Sequence, residues 1–430
     1  MKHLRWWPAL GSVLLMGAVL AGCGGSGSSS GVGSLRLVNA TRTHASLDLY
    51  QSSTLAMSAT QTDTISGYAD VPVGSPTLQL NDAGGSTALL TTATTITSGQ
   101  HYTLLAYESG GSLKTAVLTE DFSAPASGTG QLRIYDAATD TGAIDVYITD
   151  PATDLATVST PTVPFAAQTY AQSSSLLAYA PGTYRVRVTA SGNKSQLLLD
   201  LPAVTIADQQ ILQIALTPTA GGVLLDGSMV SQQGAYTAAR NTTARVRLAA
   251  AVSGGVPVAA SAGSSVIDSF TVAPAVGTYA IVPASGALNI SVNGNSVGAP
   301  ASTLTAGNDY TLLVYGSGTS ATASLISDDN HLPTLSTNVK LRLINGLTGT
   351  VSGLTLEADF TAVASNVLPA VASAYGTVPA NSSMELDVTS ALSSTPIYSR
   401  SDLNIAASSI YTLFMVGDTS APQGVLRRDR

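Results

Sequence analysis

Four short stretches decide how this chain folds: SLRLVNA at residues 34–40, QLRIYDA at 131–137, RVRLAAA at 245–251 and KLRLING at 340–346. In each, apolar and polar residues alternate around an arginine: Arg36, Arg133, Arg247 and Arg342. A period of two is the signature of a strand with one buried face. It predicts that each arginine points outward, away from its apolar neighbours. The arginines are 97, 114 and 95 residues apart, so the chain repeats about four times.

Other features recur with the same spacing. A second strand follows in SLDLY (46–50) and AIDVY (143–147), with Asp48 and Asp145 at equivalent positions. LTLEADF (354–360) matches it, and VPVAASA (256–262) departs from it. Alternation puts the aspartates opposite their leucine or valine neighbours. An exposed pairing of Asp48 with Arg36 on a neighbouring strand is the expected role. A Ca²⁺ site needs six or more oxygens from clustered acidic residues, and these strands have none nearby.

Next come a tyrosine and a proline turn: YADVPVGSPTLQL (68–80), YAPGTYRVRV (179–188), YAIVPASGALNISV (279–292) and YGTVPANSSMELDV (375–388). Pro72, Pro181, Pro283 and Pro379 fix φ, while Gly74, Gly182, Gly286 and, in the fourth unit, Asn381 are expected to permit the reversal. Tyr68, Tyr179, Tyr279 and Tyr375 recur once per unit, which favours a packing role over a ligand-stacking row. Each unit closes with a hairpin, such as HYTLLAY (101–107) and DYTLLVY (309–315). The last strands end near acidic residues, Asp121, Asp226, Asp329 and Asp429.

About seven short strands per unit of roughly 95–115 residues fit an immunoglobulin-like antiparallel β-sandwich. The expected units are residues 34–122, 131–230, 244–329 and 339–430, joined by turn-rich linkers. Set end to end, four would reach roughly 100 Å. Composition agrees with all-β: charged residues are only 10% of the 430, and hydrophobic residues 44%. Thr, Val and Tyr favour strands.

The N-terminus reads differently. MKHLR is followed by an apolar run from Trp6 to Val19, too short to span a bilayer comfortably, and then by Leu20-Ala21-Gly22-Cys23. Cys23 is the chain's one cysteine. The arrangement resembles the leader and lipobox of bacterial lipoproteins. The resemblance implies a signal peptide over residues 1–22, recognition through Leu20, Ala21 and Gly22, and a diacylglyceryl group on the Cys23 thiol. With Gly24 rather than aspartate following, it also implies the outer membrane of the cell envelope, on its periplasmic or exposed side. Residues 23–33 then supply the lipidated cysteine and a Gly/Ser tether.

The repeated units are similar to those of bacterial secreted and lipid-anchored proteins carrying the domain numbered 4397 among domains of unknown function. The matching residues are LRLVNA, the LDLY and IDVY strands, the tyrosine-to-proline turn, and the YTLLAY and YTLLVY strands. That resemblance implies a β-sandwich at the envelope with no assigned activity.

Residues that would carry chemistry are sparse. His44, His101 and His331 have no neighbour at metal-ligand spacing, and no nucleophile elbow is present. The net charge of −8 would become −10 once Lys2 and Arg5 leave with the leader, which disfavours nucleic acid as a partner. The expectation is a lipid-anchored, non-catalytic envelope protein with a structural, scaffolding or adhesive role. Its partners are the membrane and an envelope protein or glycan, and no cofactor is expected. The alternatives are a carbohydrate- or peptidoglycan-binding protein and a hydrolase with carboxylates from two adjacent domains.

Overall fold

The computed structural model describes residues 31–159, 162–349 and 352–430. Cys23, Leu20, Ala21, Gly22 and the tether to residue 30 lie outside the described residues. Within them the chain is all strand and turn, arranged as four tandem β-sandwiches.

The first unit sets the pattern. Its strands are β1 (Val32–Asn39), β2 (Ser46–Gln51), β3 (Thr54–Gln61), β4 (Thr64–Ile65), β5 (Ala69–Pro72), β6 (Thr77–Asp82), β7 (Leu90–Ala93), β8 (His101–Ser109) and β9 (Ser112–Thr119). One sheet has the order β4-β1-β8-β9 with β5 also on β1, and the other has the order β3-β2-β6-β7. The β1–β8 pair is parallel, with Arg36 opposite Thr103; every other pairing in the unit is antiparallel. The equivalent parallel pairs in the later units set Arg133 opposite Gln213, Arg247 opposite Thr311 and Arg342 opposite Thr412.

Each sandwich has its own core. In the first, Leu35 and Leu37 face Leu47, Leu49, Leu78 and Leu80, all fully buried. A buried leucine contributes roughly 1.5–3 kcal/mol. The other three units have counterpart cores around Ile134, Leu248 and Leu343.

The second unit departs most from the pattern. The stretch expected as a linker, residues 231–243, contains the strand Tyr236–Ala239, which pairs with Leu225–Ser231 and extends that sheet. The tyrosine-proline segments also differ from expectation. Gly74 has a positive φ of 104°, but Gly182, Gly286 and Asn381 do not. Gly286 is required for space: a Cβ there would lie 2.8 Å from the carbonyl carbon of Ala262.

The units do not string out end to end. The first and second dock through the outer faces of their parallel-pair sheets: Val38, Leu105, Tyr107 and Leu118 meet Ala137, Ala215 and Val230. The third and fourth dock through the same faces, Ala249, Ala251 and Leu313 against Ile344, Phe414 and Val416. Gly346 permits this approach, because a Cβ there would lie 2.7 Å from that of Ala251. The two pairs also touch. Gly221 N–H donates to Gly307 O at 2.9 Å, and Asn330 N–H to Gly221 O at 3.1 Å. The Arg430 guanidinium donates to the carbonyls of Asn330 (2.9 Å), Gly222 and Asp140.

Candidate functional site

Docking explains where the repeated arginines go. Arg36, Arg247 and Arg342 are nevertheless buried, although alternation set them on the outer face of the strand. They do point away from their own cores, but another unit's sheet covers them. Arg36 Nε donates to Thr103 Oγ1 (2.8 Å) and Glu120 Oε1 (3.0 Å), and Nη2 donates to Glu120 Oε2 (2.8 Å). The same guanidinium crosses to the second unit, reaching Gly234 O at 2.6 Å and Ser231 O at 3.0 Å.

The third and fourth units exchange partners. Arg247 Nε donates to Thr311 of its own unit (2.8 Å), while its Nη1 pairs with Asp429 of the fourth. Arg342 Nε donates to Thr412 of its own unit (3.0 Å), while its Nη2 pairs with Asp328 of the third. Burial alone would raise the Asp328 carboxyl. The Arg342 and Arg247 guanidiniums and the Tyr279 hydroxyl outweigh burial and hold it below the usual carboxylate range.

Three of the four repeated tyrosines complete these clusters. The Arg36 guanidinium lies 4.9 Å from the centre of the Tyr68 ring, Arg247 4.6 Å from Tyr279 and Arg342 4.5 Å from Tyr375. Tyr68 O–H donates to Glu120 (2.9 Å) and Tyr279 O–H to Asp328 (2.6 Å). Tyr179 instead packs edge-on against Tyr184. Arg133 has neither tyrosine nor carboxylate. It lies over Phe122 at 4.9 Å, and its buried Nε has no hydrogen-bond partner among the described residues.

Asp48 and Asp145 are buried and do not pair with an arginine strand, because β1 and β2 belong to opposite sheets. They accept backbone N–H groups at a bulge. Asp48 binds Ala59 N (2.7 Å) and Gly84 N (2.9 Å); Asp145 binds Ala167 N and Gly192 N, both at 2.8 Å, and Ser191 Oγ at 3.0 Å. Ala59 and Ala167 have positive φ of 48° and 49°, and the carboxylate holds each in place. Burial would raise the Asp145 carboxyl, but these donors outweigh it and lower it. The third and fourth units have Ala259 and Thr355 at this position.

A cleft of about 620 Å³ lies where the first two units meet the segment entering the fourth. Sequence repetition gave no sign of it: Asp226 and Asp329 recur as acidic strand ends, but nothing in the repeat brings them to one cleft. Its carboxylates are all engaged. Asp226 binds Arg42 (2.6 Å) and Arg240 (3.0 Å), and Asp329 binds Lys340 (2.6 Å) and His331 (2.9 Å). Glu108 accepts the N–H groups of Arg42 (3.0 Å) and Thr43 (3.1 Å). A glycosidase-type pair needs one carboxyl raised to act as an acid. Asp329 is shifted the other way: burial is outweighed by His331 and Lys340. His44 and His101 are paired with Asp82 (2.7 Å) and Asp121 (2.9 Å). Among the described residues no group of three or more His, Cys, Asp or Glu side chains is placed to hold a metal ion.

Fold and clusters together define a tandem-repeat β-sandwich protein with sheet-to-sheet docking. Residues 33–147 match the family described as Domain of unknown function (DUF4397), a span covering nearly all of the first unit, the first strand of the second and part of the next. No curated protein matches the chain. Among solved structures, the Bacillus anthracis TIE protein is similar at 9% identity over 90% of this chain and 69% of that one, with a TM-score of 0.15. A likeness that slight carries no argument.

Proposed function

We propose that this chain is a lipid-anchored, non-catalytic protein of the bacterial cell envelope with a structural, scaffolding or adhesive role. The carrying observation is that the polar residues recurring from unit to unit are spent on packing: Arg36, Arg247 and Arg342 on docking, Asp48 and Asp145 on bulges. A repeated catalytic or ligand site would leave such residues facing a cleft. The anchor reading rests on the basic start, the apolar run and Leu20-Ala21-Gly22-Cys23. It sets Cys23 as the lipid attachment point and the outer membrane as the location, with the body held close by the Gly/Ser tether.

Fractionation of cells expressing Cys23→Ser tests the anchor. The parent is expected with the membranes and the variant in the soluble fraction; unchanged membrane partition of the variant overturns the reading. The polar inter-unit cleft favours, as a second reading, a carbohydrate- or peptidoglycan-binding role. Its lining includes no tyrosine, tryptophan or phenylalanine on which a sugar ring would stack. A glycan array probed with residues 24–430 separates the two, and absence of binding at high micromolar concentration removes the second.

A further inference from the structure

One buried carboxyl has no part in docking clusters, bulges or cleft. Asp136 is fully buried at the end of the strand Gly130–Asp136. Its Oδ1 accepts the Ala138 N–H at 2.9 Å, and its Oδ2 is buried without a hydrogen-bond partner among the described residues. The parallel registers place Asn39 and Asn345 at this same position in the first and fourth units. Those asparagines use the side-chain oxygen in the same way, accepting Thr41 N and Leu347 N. Their amide groups then donate to carbonyls, Asn39 Nδ2 to Thr60 O (3.1 Å) and Asn345 Nδ2 to Val367 O (2.9 Å). In the second unit Gln168 has the register position of Thr60 and Val367. A carboxylate can only accept hydrogen bonds, whereas a protonated carboxyl has one O–H to donate.

We propose that Asp136, when protonated in the folded chain, donates from Oδ2 to the Gln168 carbonyl, so that the second unit and its docking on the first loosen as pH rises and this proton is lost. The titratable groups around it are Tyr135 on its own strand, Tyr170 on the loop after the strand Phe165–Gln168 and Tyr107 on β8 of the first unit. Among the described residues no lysine, arginine or histidine bonds to it. Tyr107 belongs to the apolar interface between the two units, and Tyr135 packs against it, so charge at Asp136 is felt across the joint. Burial pushes the carboxyl up to about 6, against the opposing pull of the Ala138 N–H. A carboxyl raised on folding gives its full stabilisation below the ordinary carboxyl range. That stabilisation is lost as pH rises toward and through its native value.

Asp136→Asn restores the donor that the first and fourth units carry and removes the titration. Thermal unfolding between pH 4 and pH 8 is expected to show parent and variant melting together at pH 4, with the variant several degrees higher at pH 7.5. Hydrogen exchange over residues 130–136, 165–173 and 101–109, corrected for intrinsic rates, is expected to quicken in the parent across that range and stay flat in the variant. A melting difference that does not change with pH overturns the proposal. So does a variant that is less stable than the parent, or unfolded, at pH 7.5, because an amide reproducing the donor must fold there.

Discussion

The two docked pairs solve one problem in two ways. Between the third and fourth units the exchange is reciprocal: Arg247 reaches Asp429, and Arg342 reaches Asp328. Each arginine is neutralised by its neighbour's last strand, so separating the units would strand buried charge on both. Between the first and second units Arg36 keeps its own Glu120 and offers its remaining N–H groups to the carbonyls of Ser231 and Gly234. The second unit returns no arginine–carboxylate pair through this cluster. Gln213 and Gln232 stand where the other units have a threonine and a carboxylate, and they bond to the Thr119 carbonyl and the Phe122 backbone. An outward-facing arginine on a repeated strand therefore docks units where a carboxylate, its own unit's or its neighbour's, neutralises it, as for Arg36, Arg247 and Arg342 but not Arg133.

The sharpest way to break this comparison is to remove one carboxylate from each pair. Asp328→Asn leaves Arg342 unpaired and takes a second negative charge from beside Arg247, 3.7 Å away. Uncompensating a buried ion pair costs about 3–5 kcal/mol. Glu120→Gln orphans one guanidinium whose other donors keep their carbonyls, and a charge-assisted bond lost there costs about 1.5–3 kcal/mol. Chemical denaturation of the two variants is expected to rank them in that order, and the reverse order would show that the reciprocal exchange is not the stronger joint. The two pairs should also differ in acid. Asp328 is held below the usual range, so its contribution is present above that range and lost as pH falls through its native value, opposite in sign to Asp136.

The strand pattern and the tandem repetition of sandwiches were legible because period-two alternation follows directly from a core between two sheets. The arginine side was legible too, but its surroundings were not. Alternation says which way Arg36 points from its own core and nothing of what lies beyond. Asp48 misled for a related reason: neighbouring strands in sequence belong to opposite sheets, so β1 and β2 cannot pair their side chains. The acidic strand ends were visible, yet the functional residues are Glu120 and Asp328, one position before Asp121 and Asp329. In the second unit the equivalent residue is Gln232, two positions beyond the register partner of Gln213, and not Asp226. The threonines at 103, 311 and 412 were signalled by the shared Tyr-Thr-Leu of the closing strands, and their replacement by Gln213 marks where the cluster fails.

The smallest effect is expected where the comparison says the arginine is least useful. Arg133 is half-buried, and burial lowers its pKa with no carboxylate to oppose it. Its Nε has no acceptor among the described residues, and the contact with Phe122 is its main compensation. Methionine fills a similar length without charge and keeps an apolar contact with the ring. Replacing a poorly compensated guanidinium in this way is neutral or favourable. Arg133→Met is therefore expected to shift unfolding stability by no more than about 0.5 kcal/mol in the unfavourable direction, or to raise it. Arg342→Met, at the equivalent strand position, is expected to cost several times that, because Asp328 would lose its closest cation. Equal losses for the two variants in parallel denaturant titrations would mean that the strand position itself, and not the partner carboxylate, gives these arginines their role.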